Sequence, residues 1–545
     1  MSLSILPANA ACYARRSQAL GLLCALLATI SAALSSGCAG LPPGADHPRV
    51  ASAALADPKE TKLGRQFADS AEAHDAMSGF RILPVGVDGF LTRVQMIEAA
   101  ERTLDLQYFI FRGDETGHLI TEALVRAAAR GVRVRVLVDD GDTRAGDERL
   151  LALDGQPSIE IRVFNPFAYR GHVELRRAME FLFNGRRLNY RMHNKLMVLD
   201  NAVALIGGRN IGNQYFQMDP ESQFADDDVF TAGPVVQQLS ARFDEYWNSP
   251  LSIPAAALGA GTHSASAAAA PAKPLRGLDS KGIDYVAMLK SDEPYAGMIS
   301  GRLPLVWANS RVVCDSPDKK DVENGARPGR LMAPQVSQAA ALVQTELLIV
   351  TPYYLPAKHE IQLVEAQRGR NARVAILTNS LESAPLLLAQ AGYSGYRKPL
   401  LEDGAEIYEV RSLLGSMKGS GQTTRISRFG NYALHAKLFV FDHERIFIGS
   451  MNFDQRSKRL NTEMGLIIDS PDLAGQIVAR FDAMTRPENA YVLSLHEAHS
   501  GTGRNIVWDT VEQGKPVEYT SEPARHWWQR LVVRLLALLP VGREL

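Results

Sequence analysis

The feature that most limits the fold of this 545-residue chain is a pattern of about twenty residues that it contains twice. The first copy, residues 191–210, reads RMHNKLMVLDNAVALIGGRN, and the second, residues 433–452, reads ALHAKLFVFDHERIFIGSMN. Each copy has His-x-Lys, an Asp five residues after the Lys, and Gly-Gly or Gly-Ser before a final x-Asn. The His and the Asn are separated by 17 residues in both copies. A pattern repeated with one spacing predicts an internal duplication and two similar domains.

Each copy predicts a β-hairpin, because the residues between His and Asp are mostly apolar or β-branched and the Asp begins a turn. Residues i and i+2 of a strand share a face, so His193 and Lys195 point the same way. A turn at Asp200 then returns Asn210 to the side of His193. The equivalent positions of the second copy are His435, Lys437, Asp442 and Asn452.

The motif aspartates are predicted to be structural turn residues that do not contact the histidines. At about 3.3 Å per residue, an extended strand places Asp200 roughly 20 Å from His193. A carboxylate that orients each imidazole must therefore come from elsewhere. Glu463 is the candidate in the second half, and Asp226, the first of three consecutive aspartates, is the candidate in the first half. Such a run is compatible with a cation site, although a solvated acidic loop more often explains one.

The two His, two Lys and two Asn are residue types suited to a site that binds and cleaves a phosphodiester. Ammonium and amide groups are donors for the non-bridging oxygens, whose charge must be held as phosphorus becomes five-coordinate. One neutral imidazole can attack phosphorus, and the other, protonated, can supply a proton to the leaving oxygen. The reaction would then pass through a phosphohistidine. No metal or other cofactor is predicted, because the paired lysines would repel a divalent cation.

The rest of the chain indicates two α/β domains joined by a linker. Strand and helix patterns alternate at the spacing of βαβ units, which predicts parallel sheets covered by helices. The expected helices are 94–100 and 119–130, and the expected strands are 104–111, 132–138, 347–352 and 372–378. We divide the chain into a signal peptide (1–38), a tether (39–80), an N-terminal domain (81–250), a low-complexity linker and connecting segment (251–324), a C-terminal domain (325–500) and a C-terminal extension (501–545).

The first forty residues predict export to the bacterial cell envelope. Arg15 and Arg16 precede an apolar run over residues 19–34, and the run ends in Leu-Ser-Ser-Gly-Cys38, which is similar to a lipoprotein cleavage site. An uncleaved N-terminal anchor is the alternative, because Ser35 stands where a large aliphatic residue is usual. Lipidation of Cys38 would leave Cys314 unpaired, so no intrachain disulfide is expected in the mature protein. The catalytic domains are expected on the periplasmic side.

The C-terminal extension contains an amphipathic segment, residues 523–539, that reads PARHWWQRLVVRLLALL. Interleaved Trp, Arg and Leu are typical of a helix that lies in a membrane interface. A terminal helix packed on the domain explains the same pattern equally well.

The repeated motif resembles the HxKxxxxD and G-G/S-x-N signature of the phospholipase D superfamily. Further similarity, to bacterial cardiolipin synthases of the C type, lies in residues 105–111, 395–401 and 447–463 and in the Trp pair of the extension. The resemblance implies an α/β fold of two α/β/α phospholipase D-like domains related by pseudo-twofold symmetry, with one active site at their interface. Where the superfamily often has Trp-Arg-Asp, this chain has Phe224-Ala225-Asp226.

The resemblance also implies the chemistry. The expected activity is a membrane-associated phosphatidyltransferase of the cardiolipin synthase type, with His193 as nucleophile and His435 as general acid and base. The expected partners are the membrane and phospholipid substrates, namely phosphatidylglycerol and, as a further candidate, phosphatidylethanolamine. The sequence leaves an accessory protein open. The alternatives are a phospholipase D that releases phosphatidic acid, a metal-independent nuclease and a non-catalytic membrane role. A formal net charge of −1 argues against nucleic acid as partner.

Overall fold

The computed structural model of this protein describes residues 41–141, 153–169, 174–219, 222–258, 297, 304–413, 432–497 and 503–538. The expected signal peptide with Cys38, and most of the low-complexity linker, lie outside these residues.

The first half contains a mixed sheet. Strands β2, β3 and β4 run parallel, β5 pairs antiparallel with β2, and the order across the sheet is β9-β4-β3-β2-β5-β6-β8-β1. A short strand, β7, lies outside it. The strands of this half are β1 Ser78–Leu83, β2 Thr103–Tyr108, β3 Arg133–Asp139, β4 Ile159–Phe164, β5 Lys195–Leu199, β6 Val203–Gly207, β7 Gln223–Ala225, β8 Asp228–Ala232 and β9 Ser252–Pro254.

The second half repeats this arrangement. Strands β11, β12 and β13 are parallel and β15 is antiparallel to β11, so β13-β12-β11-β15-β16-β17 corresponds to β4-β3-β2-β5-β6-β8. Three more strands, β18 to β20, extend the sheet beyond β13. The strands are β10 Val306–Cys314, β11 Glu346–Val350, β12 Arg373–Asn379, β13 Glu406–Val410, β14 Tyr432–Leu434, β15 Leu438–Phe441, β16 Arg445–Gly449, β17 Met464–Asp469, β18 Ala490–Glu497, β19 Arg504–Glu512 and β20 Lys515–Tyr519.

One strand joins the two sheets. The nine-residue β10 pairs antiparallel with β1 at one end and with β17 at the other. Eighteen strands of the described residues therefore form one continuous sheet. The strand β10 was not predicted, because residues 251–324 were assigned to the linker and connecting segment.

Helices cover the sheets, and one core is shared by both halves. Leu239 of α5 and Ile477 of α12 belong to the same buried cluster as Val198 of β5 and Val440 of β15. The halves are thus held together by apolar burial as well as by β10. The helices are α1 Lys62–Glu72, α2 Gly86–Ala99, α3 Glu115–Ala129, α4 Glu174–Leu188, α5 Pro234–Trp247, α6 Lys319–Glu323, α7 Met332–Ala341, α8 Lys358–Gly369, α9 Leu387–Ser394, α10 Arg397–Glu402, α11 Gln455–Arg459, α12 Pro471–Met484 and α13 Trp527–Leu536.

The two segments predicted to flank the domains are more structured than expected. In the predicted tether, α1 forms with Thr61 as its N-cap, and the backbone N–H of Ala54 donates to Asp244 of α5 at 2.8 Å. In the predicted C-terminal extension, β19 and β20 belong to the second sheet. Among the described residues, no helix is both long and apolar enough to cross a bilayer.

The helix α13 packs on the domain, which is one of the two predicted alternatives. Its buried Val533 packs with Leu381 and Ala391, at the end of the molecule where β12 finishes. Its other face leaves apolar side chains exposed, namely Trp527, Trp528, Leu531 and Leu535. The helix is therefore docked on the domain and still shows an apolar surface to solvent.

Candidate active site

Each His-x-Lys segment lies at the carboxyl edge of the parallel strands of its own half. Lys195 pairs with Tyr108, the last residue of β2. In the second half Leu438 pairs with Val350, the last residue of β11, so Lys437 lies just beyond that edge. This edge is where the loops of an open α/β sheet form ligand sites.

The motif aspartates occupy the hairpin turns. Asp200 and Asn201 both have φ of 52°, and Asp442 and His443 have φ of 55° and 57°, a region that Asn and Asp tolerate better than most residues. The Asp200 carboxylate accepts from the backbone N–H groups of residues 101, 102 and 103 at 3.0, 2.8 and 2.7 Å, where β2 begins. Asp442 accepts from residues 344, 345 and 346 in the same way. Each aspartate thus holds the far end of the hairpin against the adjacent strand.

Replacing Asp200 with alanine should lower stability and leave the chemistry intact. Three backbone donors at the start of β2 would lose a charged acceptor. Hydrogen bonds to charged groups contribute about 1.5–3 kcal/mol each, but these three share one carboxylate whose desolvation offsets part of their sum. We expect a decrease of about 2–4 kcal/mol in the free energy of unfolding, measured by urea titration. Asp200→Asn, which keeps one acceptor oxygen, should lose less. A fall in kcat of the folded variant would contradict a purely structural role.

The two histidines are held by carboxylates from the opposite halves. His193 Nδ1–H donates to Glu463, with distances of 2.9 and 3.1 Å to its two oxygens. His435 Nδ1 lies 2.5 Å from Asp226 Oδ2. Both carboxylates were predicted from the sequence, but each was expected to hold the histidine of its own half, and that pairing is wrong.

Backbone pairing across the interface explains the exchange. The N–H of His193 donates to the carbonyl of Thr462 at 2.9 Å, and the N–H of Thr462 donates to the carbonyl of Arg191 at 2.9 Å. Near the other histidine, β14 runs parallel to β7, and the N–H of His435 donates to Ala225 O at 2.7 Å. The backbone at each histidine is therefore hydrogen-bonded to the residue that precedes the carboxylate from the opposite half. This residue is Thr462, before Glu463, for His193, and Ala225, before Asp226, for His435.

The difference between Gly-Gly and Gly-Ser in the two motifs has a structural reason. Ser450, the serine of the second motif, donates its hydroxyl to Glu463 at 2.5 Å. At the equivalent position of the first motif, a Cβ added to Gly208 would overlap the Asp226 carboxylate. The shorter aspartate thus lies directly over a glycine, whereas the longer glutamate receives a hydrogen bond from the serine.

The lysines of the two motifs lie beside the histidines. Both Lys side chains are buried, and each ammonium donates to the backbone carbonyl of its own histidine. Lys437 Nζ also lies 2.7 Å from His435 Nδ1 and 3.9 Å from Asp226 Oδ2. A carboxylate can only accept, so we assign the Nδ1 proton to the bond with Asp226, and Lys437 then donates to the His435 carbonyl and not to the ring nitrogen.

The asparagines differ between the halves. Asn210 Oδ1 accepts from the N–H of Ile110 at 3.1 Å, and its Nδ2 donates to the hydroxyl of Tyr215 at 2.9 Å. Asn452 Oδ1 is buried and has no hydrogen-bond partner among the residues that the structure describes. Within that part of the chain, the second half therefore leaves an amide oxygen without a protein donor beside the site.

Aromatic rings that the sequence analysis did not select line the imidazoles. Phe224 stacks on His435 with ring centroids 5.1 Å apart, and Tyr215 meets the same ring edge-on at 5.2 Å. Phe109 meets His193 edge-on at 4.9 Å. The departure from Trp-Arg-Asp at Phe224 was the available signal, because it still placed an aromatic ring two residues before the orienting aspartate.

Other expectations for nearby residues are corrected or decided. The three consecutive aspartates are not a solvated loop, because all three are buried and bonded to other side chains: Asp226 to His435, Asp227 to Arg480 and Asp228 to Arg93 and Arg209. Tyr108 and Tyr354, at the ends of or just after the buried strands β2 and β11, are buried in the cores.

Burial and the lysine charges keep the imidazoles neutral. Desolvation, followed by Lys195 and Lys437, lowers the pKa of His193 well below its usual value. Desolvation, Lys437 and Lys195 do the same to the pKa of His435. Burial raises the pKa of Glu463 to about 7, against the opposing charge of Lys195. Because the Glu463 carboxylate accepts from Nδ1, the proton of the neutral His193 imidazole lies on Nδ1, which leaves Nε2 with a lone pair.

The anion affinity of the site should decrease with rising pH. Burial lowers the pKa of Lys437 to about 8, and it also lowers that of Lys195. A lysine is charged below its pKa, so the positive charge is present at neutral pH and is lost as the pH rises through about 8. Sulfate keeps its charge in this range. We expect its competitive inhibition constant to increase about tenfold per pH unit above that value, and to increase less in Lys437→Arg. A constant value from pH 6 to 10 would contradict this assignment.

Two imidazoles that are cross-held by carboxylates, and flanked by two buried ammonium groups at a domain interface, define an enzyme that acts on phosphate esters. The family model described as "Cardiolipin synthase, PLD-like domain" matches residues 94–247 and 337–485, together more than half of the chain. The chain is 36% identical over 476 residues to Cardiolipin synthase C of Escherichia coli (strain K12), covering 86% of this chain and 96% of that protein.

A second relative, Major cardiolipin synthase ClsA of Bacillus subtilis (strain 168), is 26% identical over 73% of this chain and 67% of its own length. Among solved structures, phosphatidylserine synthase of Haemophilus influenzae Rd KW20 superposes with a TM-score of 0.49 and 14% identity, over 78% of this chain and 91% of that one. On the family model and the first relative, the chain belongs to the cardiolipin synthase family of the phospholipase D superfamily and is a phosphatidyltransferase of that superfamily.

Proposed function

We propose that this protein makes cardiolipin by transferring a phosphatidyl group to the free hydroxyl of phosphatidylglycerol, through a phosphohistidine at His193. The single observation that carries the chemistry is the cross-held pair of imidazoles between two buried lysines. The choice of lipid acceptor is supported by the similarity to Cardiolipin synthase C over nearly all of that protein.

In the first step, His193 Nε2 attacks the phosphorus of a donor phospholipid. The P–N bond forms, the bond from phosphorus to the headgroup oxygen breaks, and His435 gives that oxygen a proton so that the headgroup leaves as an alcohol. Lys195 and Lys437 lower the pKa of His435 in the free site. An anionic phosphodiester between the ammonium groups opposes their repulsion, and so substrate binding favours the protonated imidazole that this step requires.

In the second step, the acceptor hydroxyl loses its proton to His435 and its oxygen attacks phosphorus. The P–N bond breaks and neutral His193 is restored. In this proposal, the ammonium groups of both lysines and the amide N–H groups of both motif asparagines bind the non-bridging oxygens through each five-coordinate transition state. The buried site, with His193 only 6% and His435 only 9% exposed, limits the access of water that would divert the intermediate to hydrolysis.

The proposal includes attachment to the bacterial cell envelope with the catalytic domains on the periplasmic side. Its two supports are the lipoprotein-like site at Cys38, which lies outside the described residues, and the exposed Trp and Leu side chains of α13. Two membrane signals together give firm attachment where one chain alone binds reversibly.

The test is product analysis by mass spectrometry of the full-length protein with phosphatidylglycerol vesicles. We expect cardiolipin and free glycerol, and neither product from His193→Ala or His435→Ala. Adding phosphatidylethanolamine and measuring released ethanolamine tests that lipid as donor. Phosphatidic acid without cardiolipin would reject the synthase proposal in favour of a hydrolase, and metal-independent cleavage of DNA without lipid products would favour a nuclease.

A further inference from the structure

The helix α4 turns its apolar side chains away from the protein. Five large apolar residues on it are between 43% and 71% exposed. Four of them, Leu175, Met179, Leu182 and Phe183, lie within about a third of the helix circumference and form what we call the α4 apolar face; Phe181 is exposed outside this face. Residues 175, 179 and 182 follow the i, i+4, i+7 spacing that places side chains on one stripe of a helix. A surface helix in water normally has the opposite arrangement, with its apolar stripe on the core.

The side of α4 that contacts the protein is polar. Arg177 is buried and donates to the carbonyl of Asp140 at 2.5 Å. Glu180 accepts from the N–H groups of Ala168 and Tyr169 at 2.7 and 2.9 Å. Arg187 donates to Asn165 Oδ1 at 2.7 Å. These bonds fix the helix by its charged side, so the exposure of the apolar face follows from how α4 is anchored.

The α4 apolar face lies beside the catalytic site. Its anchoring partners, residues 140, 165 and 168, follow β3 and β4 directly and are therefore at the carboxyl edge from which His193 emerges. The helix ends at Leu188, five residues before that histidine. Arg456 donates to Asn189 Oδ1 at 2.5 Å, and its charge also acts on His193. The end of α4 thus contacts a residue that influences the nucleophile.

The charges around the face suit an anionic lipid surface. Arg176 and Arg186 are exposed near the two ends of the helix. The helix contains four arginines and two acidic residues, Glu174 and Glu180, and Glu180 is bonded to backbone N–H groups on the protein side. Apolar side chains bordered by arginines are the composition that binds the interface of a membrane with anionic headgroups.

The second half has a matching element. The exposed face of α13, with Trp527 and Leu531, lies near the carboxyl end of β12 through the contact of Val533 with Leu381. His435 lies at the same edge, because the N–H of Leu434, the residue before it, donates to the side chain of Asn379, the last residue of β12. Each half therefore places one exposed apolar helix at the edge that carries its histidine.

We propose that the α4 apolar face docks on a bilayer that contains anionic phospholipid, and that it seats the entrance of the catalytic site against the lipid surface. The inference deepens the proposed function, on whose lipid substrate it rests, by naming the surface through which lipid reaches His193. Together, α4 and α13 then give the protein two membrane contacts, one from each half, beside the single catalytic site.

Photo-crosslinking tests the occupant of the face. Benzoylphenylalanine is introduced at Leu182 in the full-length protein carrying His193→Ala, so that docking is measured without turnover. We expect covalent adducts with phospholipid in phosphatidylglycerol vesicles, and few adducts in phosphatidylcholine vesicles. The matched control is Leu342, an apolar residue that is 62% exposed at the amino end of β11, where no lipid adduct is expected. Protein–protein adducts at Leu182 without lipid would assign the face to a second copy of the chain and overturn the proposal.

A kinetic comparison separates docking from catalysis. In the His193-containing enzyme, Leu182→Glu with Phe183→Glu should lower activity on phosphatidylglycerol vesicles by about tenfold or more, because charged side chains oppose insertion. Activity on a dispersed short-chain phosphatidylglycerol below its critical micelle concentration should change less than about twofold, as should both activities of Leu342→Glu. Equal losses on both substrates, or no loss on vesicles, would overturn the proposal. If no cardiolipin forms, but the loss of activity is still confined to vesicles and lipid still crosslinks at position 182, the transferase assignment is wrong and the docking surface is supported.

Discussion

His193→Ala is expected to lower the rate of phosphatidyl transfer by about 10⁴-fold or more, because it removes the atom that bonds to phosphorus. The informative measurement uses a donor with p-nitrophenol as its headgroup, whose oxygen leaves without a proton. In the unmodified enzyme, a rapid burst of one p-nitrophenolate per active site should precede steady turnover. In His193→Ala no burst should occur.

His435→Ala should show a different defect with the same donor. Formation of the intermediate no longer requires an acid, so the burst should be retained. Removal of the phosphatidyl group needs a base to activate the acceptor, and therefore turnover should stop after about one equivalent. Mass spectrometry of digested protein should then find the phosphatidyl group on His193. A burst in His193→Ala, with the group found on His435, would reverse the two roles.

The second large effect concerns the crossed carboxylates. Glu463→Ala should slow the burst by about 10³-fold, because the imidazole of His193 loses the acceptor that fixes its tautomer. Asp226→Ala should leave the burst nearly unchanged and slow the later turnover by a similar factor, because it affects His435. If each carboxylate acted on the histidine of its own half, the two variants would show the opposite pattern.

The control for this prediction is the conservative amide. Glu463→Gln and Asp226→Asn keep a hydrogen-bond acceptor oxygen of the same size, so the loss should be smaller than for the alanine variants. Thermal unfolding of all four variants separates a local effect on the imidazole from loss of the fold. Variants that unfold cooperatively near the unmodified protein, and still differ in burst and turnover, would assign the effect to orientation.

The crossed pairing gives one physical account of why the motif occurs twice in one chain. Each half supplies a histidine but not the carboxylate that fixes its tautomer. Separated halves would each have an imidazole without its acceptor and a buried carboxylate without its partner, an arrangement that is costly in an apolar interface. The shared core and β10 hold the two halves in the register that avoids this cost.

Residues close together in sequence were predictable from strand geometry. The alternation of a strand sets His193 and Lys195 on one face, and the distance along an extended chain excludes Asp200 as a partner of His193. The repeated spacing also indicated two similar α/β halves. The missed or misread elements depend on remote partners: β10, which pairs with strands from both halves, and α4, whose polar side is satisfied by the loops after β3 and β4.

The sequence by itself therefore determined the chemical groups, their duplication and the hairpins that carry them, because these follow from spacing along a single strand or turn. The tertiary structure decided which carboxylate holds which histidine, how far each group is desolvated and which helix faces solvent. Those properties depend on contacts between residues as far apart as 193 and 463, and no local pattern specifies which distant segment will pair with which.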